Sequence, residues 1–376
     1  MIRRLYIHNF KSFINFEIRF DNFQLLTGAN GVGKSAMFDV LGRLKAFVCN
    51  SERIQSVFPS ENTSKGIAGN DGLMRIELDM QNSADALYCY TLVMEYDDIN
   101  HHQHIAEERL TYNQSPLFES IKGAAQLYRD NGSAGPNFPI DWTQSGVGFV
   151  MAGKDNTKMT WFKERLARVW ILRIAPDMIK DESRREAISP QSNLNDFADW
   201  YRYLAQAQPD VIQKLTNDLR FRLPGFHTLR LKDAGEGKIL YASFESEVGK
   251  KSIDIPFGQI SEGQKALIGL YAALYGLFSD NDATLCVDEP ENFLALPEVQ
   301  PWLDRLYEMC QEETRQGLII SHHPRVLNFL AADTGIWFER SNGTGPTRNW
   351  AISLNADSLI SVDQLIERGW IDGISK

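Results

Sequence analysis

No apolar run in this 376-residue chain approaches the ~20 residues that a bilayer-crossing helix needs. Its start, MIRRLYIHNFKSF, lacks the apolar core of a secretory signal. Both absences lead us to expect a cytoplasmic protein with no membrane partner. Cysteine is scarce: Cys49, Cys89, Cys286 and Cys310 form no CxxC pair and suggest neither a zinc site nor a disulfide framework. Free thiols fit a reducing compartment. Positive charge is also short, with 39 Lys and Arg against 49 Asp and Glu, a formal net charge of −10. That argues against generic nucleic-acid binding, because phosphate attraction supplies most non-specific affinity. Finally, there is no heptad array, internal repeat or low-complexity tract, which excludes long coiled-coil arms.

What remains is an ordinary soluble composition, long enough for one large α/β domain with insertions or for two modest ones. Residues 2–8 alternate roughly and 16–20 strictly, which predicts a hairpin across the KSF turn. A third apolar run, Phe23 to Thr27, leads into a glycine-rich loop, and Met37, Phe38, Leu41, Leu44 and Val48 then follow helical spacing. Strands are expected at 74–80, 88–96 and 105–112, whereas 113–160, rich in Gly, Asn and Pro, carries no clear period. One helical pattern runs from Asn193 to Leu223 and ends at Pro224-Gly225. Strands at 226–232 and 238–247, a helix from Ser261, a strand at 284–287, a helix at 298–315 and a strand at 317–320 follow.

Four motifs carry chemistry. Gly28-Ala29-Asn30-Gly31-Val32-Gly33-Lys34-Ser35 matches GxxxxGK[ST] between a predicted strand and a predicted helix. Its glycines let backbone N–H groups close around phosphate oxygens, and the helix presents its positive end to the same anion. Lys34 is placed to reach the β- and γ-phosphates and Ser35 to ligate Mg²⁺. Asn30, Gly31, Val32, Gly33 and Ala36 complete the nucleotide-binding candidates. The apolar strand Thr284 to Val287 delivers Asp288 and Glu289 at its C-terminal end, where ligands sit in open α/β sheets. Asp288 would hold Mg²⁺, directly or through water, and Glu289 would orient and polarise the attacking water. Ser261-Glu262-Gly263-Gln264 opens an apolar helix whose N-terminus could meet an anion; by itself it reads as a plain helix N-cap by Ser261. Leu318-Ile319-Ile320-Ser321-His322-His323-Pro324 ends a strand on a histidine, which alone is commonly a plain surface residue.

In this order the four motifs resemble the ABC-type ATPase superfamily: Walker A, signature, Walker B and switch histidine. SEGQ is similar to the family's SGGQ, with Glu262 in place of the first glycine. The resemblance implies ATP and Mg²⁺ as cofactors. It also implies that Ser261, Gly263 and Gln264 meet ATP held by the opposite subunit of a homodimer, that 292–297 forms the D-loop, and that His322 is the switch histidine, catalytic with Lys34 and Glu289. No residue is assigned to the Q-loop glutamine. The opening NFKSF turn, DEPENFL and SHHP are similar to the SMC, RecF and OLD branch and unlike transporter subunits. About 35 residues follow Ser341, too few for a nuclease domain.

The expected fold is therefore α/β, an ABC-type P-loop ATPase head. It has an N-terminal lobe at 1–180, a helical insertion at 181–225, a C-terminal lobe at 226–340 and a tail at 341–376. The expected function is an ATP-hydrolysing dimeric switch. By resemblance to compact OLD-like ATPases, it works with a separately encoded effector, such as a nuclease in anti-phage defence. The alternative is a RecF-like DNA-repair ATPase, with Arg165, Arg168, Arg184 and Arg185 as candidate DNA contacts. The HHQH run at 101–104 beside Asp97 and Asp98 reads as a solvated loop rather than a metal site.

Overall fold

The computed structural model describes residues 1–64, 72–97, 102–245, 252–278, 282–311, 314–352 and 364. They fall into two compact units: Met1–Val169 with Asp282–Thr284 and Glu313–Lys376, and Trp170–Asn281 with Leu285–Glu312.

The first unit holds an antiparallel sheet and a parallel one. The expected hairpin is present, with Ile2–His8 pairing Phe16–Arg19 in the register Leu5↔Ile18 and Ile7↔Phe16. Leu5, Ile7, Phe16 and Ile18 are all buried, so the alternation seen in the sequence marks the core face. The sheet continues through Leu73–Gln81, Leu87–Asp97 and His102–Tyr112. Met74, Ile76, Leu78 and Met80 share its buried face. The unreadable stretch 113–160 contributes three further strands, Ser115–Ile121, Ala124–Tyr128 and Ala134–Pro139, and the helices Gly146–Phe149 and Thr157–Ala167. Tight turns at Lys122-Gly123 and Asn113-Gln114, all at positive φ, join its strands and explain the turn-rich composition. The parallel sheet runs, in order, Gln316–Ile320, Phe23–Gly28, Gly335–Arg340, with Thr347–Ala351 antiparallel at the edge.

That last strand corrects the expectation of a tail beyond Ser341. Thr347–Ala351 pairs with Gly335–Arg340 in the register Trp337↔Trp350 and Phe338↔Asn349, and Thr347 is fully buried. The strand was hidden because its sequence, TRNWA, neither alternates nor carries an apolar run.

The second unit packs helices with a small antiparallel sheet centred on Gly237–Glu245, which pairs with Phe226–Ala234 on one side and with Ser252–Pro256 and Glu182–Ser183 on the other. The single helix expected over 193–223 is two, Phe197–Ala207 and Pro209–Arg222. Pro209 opens the second helix, and Gln208 before it leaves the helical region at φ −137°, ψ 62°, as a residue preceding proline tends to. The predicted stripe Leu194, Phe197, Trp200, Tyr201 and Leu204 is buried. The helix Glu262–Gly276 is buried on every side from Lys265 to Tyr275, with Gly269 and Gly276 admitting Leu194 and Trp200. No helix among the described residues is long and apolar enough to cross a membrane.

Candidate functional site

The P-loop lies in the first unit, between the buried strand Phe23–Gly28 and the helix Lys34–Cys49. Gly28, Gly31 and Gly33 all adopt positive φ, at 135°, 77° and 112°. At Gly28 the requirement is twofold: the left-handed backbone, and a Cβ that would sit 2.2 Å from the Phe338 carbonyl oxygen. Lys34 is 5% exposed, and its Nζ donates to the carbonyls of Gly28 and Ala29 at 2.8 and 2.7 Å. A buried ammonium beside the loop carbonyls, at the start of a helix with no acidic residue in its first turn, suits a polyphosphate. Asn30 and Gly31 are exposed, while Ser35 and Ala36 are half-buried on the first helical turn. Val32 is buried.

The loop is buttressed by residues the motif does not contain. Thr347 Oγ1 donates to the Val32 carbonyl at 2.7 Å and lies 2.7 Å from Ser12 Oγ of the NFKSF turn. Arg340 ties the same region to the chain after its own strand, with Nη1 on the Gly31 carbonyl at 3.4 Å and Nε on the Gly345 carbonyl at 2.8 Å. Neither residue carries a sequence signal, since their partners in the P-loop lie more than 300 positions away.

In the strand Thr284–Asp288 every residue is buried, which an apolar TLCV run delivering one carboxylate explains. Arg173 meets that carboxylate, with Nε and Nη2 at 2.9 and 2.6 Å from Asp288 Oδ2. Glu289 follows at φ 53°, a left-handed conformation costly for a residue with a Cβ and worth noting at a candidate catalytic position. Asn292 steadies it, donating from Nδ2 to Glu289 Oε2 at 2.7 Å and from its backbone N–H to the Glu289 carbonyl at 3.1 Å. Glu289 itself is half-buried.

The SEGQ segment is a capping box. Ser261 Oγ accepts from the Gln264 N–H at 3.2 Å, and Gln264 Oε1 accepts from the Ser261 N–H at 3.1 Å. The helix-cap role therefore holds. Gly263 has a reason of its own, because a Cβ there would meet the Phe293 carbonyl oxygen at 2.8 Å. Ser261 and Glu262 are exposed and Gly263 and Gln264 half-buried, whereas every residue from Lys265 to Tyr275 is buried, so this helix turns its N-terminal end to solvent.

Of the two histidines, His323 is engaged as the N-cap of Pro324–Thr334, its Nδ1 accepting from the Arg325 N–H at 3.3 Å. His322 is half-buried at the end of the strand Gln316–Ile320. The basic candidates need correction. Arg165 is 1% exposed and donates from Nη2 to Thr284 Oγ1 at 2.6 Å, inside a network that Gln316 continues. It cannot meet DNA. Arg168 pairs with Glu164 at 3.9 Å, Arg184 pairs with Glu182 at 2.9 Å, and Arg185 is exposed. In the HHQH run, His102 begins a strand rather than a loop. His104 packs against Trp142 in a tilted arrangement with ring centroids 4.6 Å apart. Asp98 and His101 lie outside the described residues. No group of three or more His, Cys, Asp or Glu able to hold a metal occurs among the described residues. None of the four cysteines forms a disulfide, and burial pushes the thiols of Cys49 and Cys89 up to about 11 and about 12.

Two family models match. An AAA ATPase domain covers residues 1–131, and an AAA domain described as a putative AbiEii toxin of a type IV toxin–antitoxin system covers 174–328. No curated protein matches the sequence. Among solved structures, the chain is similar to an SMC head bound to the C-terminal winged-helix domain of ScpA. The TM-score is 0.55 at 14% identity, over 94% of this chain and 98% of that one. It is similar also to an SMC head with an extended coiled coil, bound to the C-terminal domain of ScpA, from Pyrococcus furiosus. There the TM-score is 0.53 at 12% identity, over 94% and 96%. At such identities the likeness establishes the fold, an α/β P-loop ATPase head. Each AAA match covers less than half of the chain, so the chain is similar to AAA domains over those two stretches and to SMC heads in fold.

Proposed function

We propose that this chain binds ATP with Mg²⁺ and hydrolyses it at the interface of a homodimer. The observation that carries the reading is the P-loop backbone, three glycines at positive φ around a buried Lys34 at a helix start. Lys34 and the loop amides would neutralise the phosphates. Ser35 and Asp288 would hold Mg²⁺, which supplies charge neutralisation at the phosphate oxygens when bound. Glu289, oriented by Asn292, would align the water that attacks the γ-phosphorus and draw on its proton as ADP leaves. The exposed Ser261 end of a buried helix supports a role for Ser261, Gly263 and Gln264 across the dimer interface, with His322 sensing the γ-phosphate.

In this reading the ATP-bound dimer is the signalling state and a separately encoded effector reads it. Support comes from the description of the second family model, a putative toxin of a toxin–antitoxin system, which agrees with a role in anti-phage defence. The RecF-like alternative loses a contact with the burial of Arg165.

Glu289→Gln tests the proposal. Glutamine keeps size and hydrogen bonding but not charge, so ATP and Mg²⁺ should still bind while phosphate release falls by at least ~10²-fold. The ATP-bound dimer should then accumulate, measured as mass in solution with and without Mg²⁺–ATP. Normal turnover in this variant would remove Glu289 from its role.

A further inference from the structure

The carboxylate assigned to the metal already holds a cation. Arg173 directly follows the strand Val169–Leu172, which neighbours Thr284–Asp288 in its sheet. Two of its N–H groups converge on the single oxygen Asp288 Oδ2. The two side chains differ sharply in exposure, 6% for Asp288 and 60% for Arg173. A buried carboxylate needs a countercharge, and here the countercharge sits on a side chain that water largely surrounds. The Arg173 backbone, by contrast, is anchored, its N–H donating to the Ser192 carbonyl at 2.7 Å. The guanidinium can therefore swing away without moving the strand.

We infer that Arg173 is a positioning residue that latches Asp288: it neutralises the carboxylate while metal is absent and must release it for Mg²⁺ to bind. The inference rests on the reading of Asp288 as the metal-holding residue. Mg²⁺ demands near-octahedral oxygen ligands at about 2 Å and keeps much of its water shell. A guanidinium making two hydrogen bonds to the same oxygen competes with it for both charge and space. Metal loading and release of Arg173 are then one coupled event, and the latch lowers the apparent metal affinity by the factor with which it favours its closed form. For a pair whose arginine is mostly exposed, that factor is about fivefold.

The test uses Mn²⁺ as the probe and a fluorescent, non-hydrolysable ATP analogue. The Mn²⁺ concentration giving half-maximal analogue binding is measured for wild type, Arg173→Ala, Arg173→Lys and Asp288→Asn, with thermal melts in EDTA and in Mn²⁺ plus analogue. Arg173→Ala should lower the Mn²⁺ midpoint about fivefold. Lysine, which keeps the charge but cannot offer the fork, should fall between alanine and wild type. In EDTA the alanine variant should melt below wild type, since Asp288 is left without its partner, and Mn²⁺ with analogue should close that gap. An unchanged or raised midpoint in Arg173→Ala overturns the latch, as does a melting gap that metal leaves open. If the alanine variant does not fold, the lysine midpoint decides in the same direction. A wild type whose binding ignores Mn²⁺, or an Asp288→Asn variant that keeps full Mn²⁺ dependence, refutes the metal reading of Asp288 and the latch with it. That outcome is distinct from failure of the latch alone.

Discussion

Replacing Thr347 by valine should damage the P-loop from a position more than 300 residues beyond it. The side chain is fully buried, and its hydroxyl proton is committed to the Val32 carbonyl at 2.7 Å, so Ser12 must be the donor in the 2.7 Å contact between the two hydroxyls. Valine keeps the shape and removes the oxygen. The Val32 carbonyl then loses its hydroxyl donor and the Ser12 hydroxyl its acceptor. Each such loss costs about 1–3 kcal/mol, with the lower end fitting a serine hydroxyl that can rotate. A methyl carbon also cannot remain 2.7 Å from a carbonyl oxygen, so the loop must shift by about 0.5 Å or more. The expected loss of unfolding free energy is roughly 2–3 kcal/mol, read from urea denaturation. ATP affinity should fall about tenfold, because the displaced residue lies between Gly31 and Gly33. Thr347→Ser keeps both hydrogen bonds and gives up one buried methyl, about 1 kcal/mol, and should bind ATP nearly as wild type does. The reasoning fails if the valine variant matches wild type in both measurements, or if serine is as harmful as valine.

Two further outcomes follow from the site and its surroundings. Mixing Ser261→Arg with Lys34→Ala subunits should recover part of the ATPase activity that each variant lacks alone. If signature and P-loop act in trans, one composite site in the heterodimer is whole; if they act within one subunit, phosphate release stays at background. Glu108 offers a pH test. It is fully buried, accepting hydrogen bonds from Tyr90 Oη at 2.8 Å, Ser145 Oγ at 2.5 Å and the Gly146 N–H at 2.6 Å. Burial raises its carboxyl above the ordinary 4.5, more than these hydrogen bonds lower it. Its contribution to stability is therefore full below pH 4.5 and lost as pH rises through the folded-state value. Glu108→Gln does not titrate, so its stability deficit against wild type should narrow as pH is raised from about 4.5. A deficit that widens would mean that the hydrogen bonds favour the ionised form outright, and a constant one that they cancel the effect of burial; either refutes the reasoning.

The sequence alone determined the parts of this protein that depend on neighbours along the chain. A glycine-rich turn between an apolar run and a helical period reads as strand, loop and helix, and Gly28 to Ser35 lie in that order between Phe23–Gly28 and Lys34–Cys49. Leu285, Cys286 and Val287 before Asp288 mark a strand whose end presents the carboxylate, and Ser261 ahead of an apolar helical run announced an N-capped helix, which the capping box reproduces. Contacts made by chain closure were invisible, because no period or local spacing records which strand lies beside which. Arg165 looked like one of several surface cations, yet tertiary packing buries it against Thr284. Residues 347–351 looked like a tail because TRNWA has no alternation, yet pairing with Gly335–Arg340 turns them into an edge strand that supports the P-loop. Nothing in the sequence singled out Arg173. Only the adjacency of the strand before it, Val169–Leu172, to Thr284–Asp288, set by sheet order rather than by sequence, placed its guanidinium on the carboxylate.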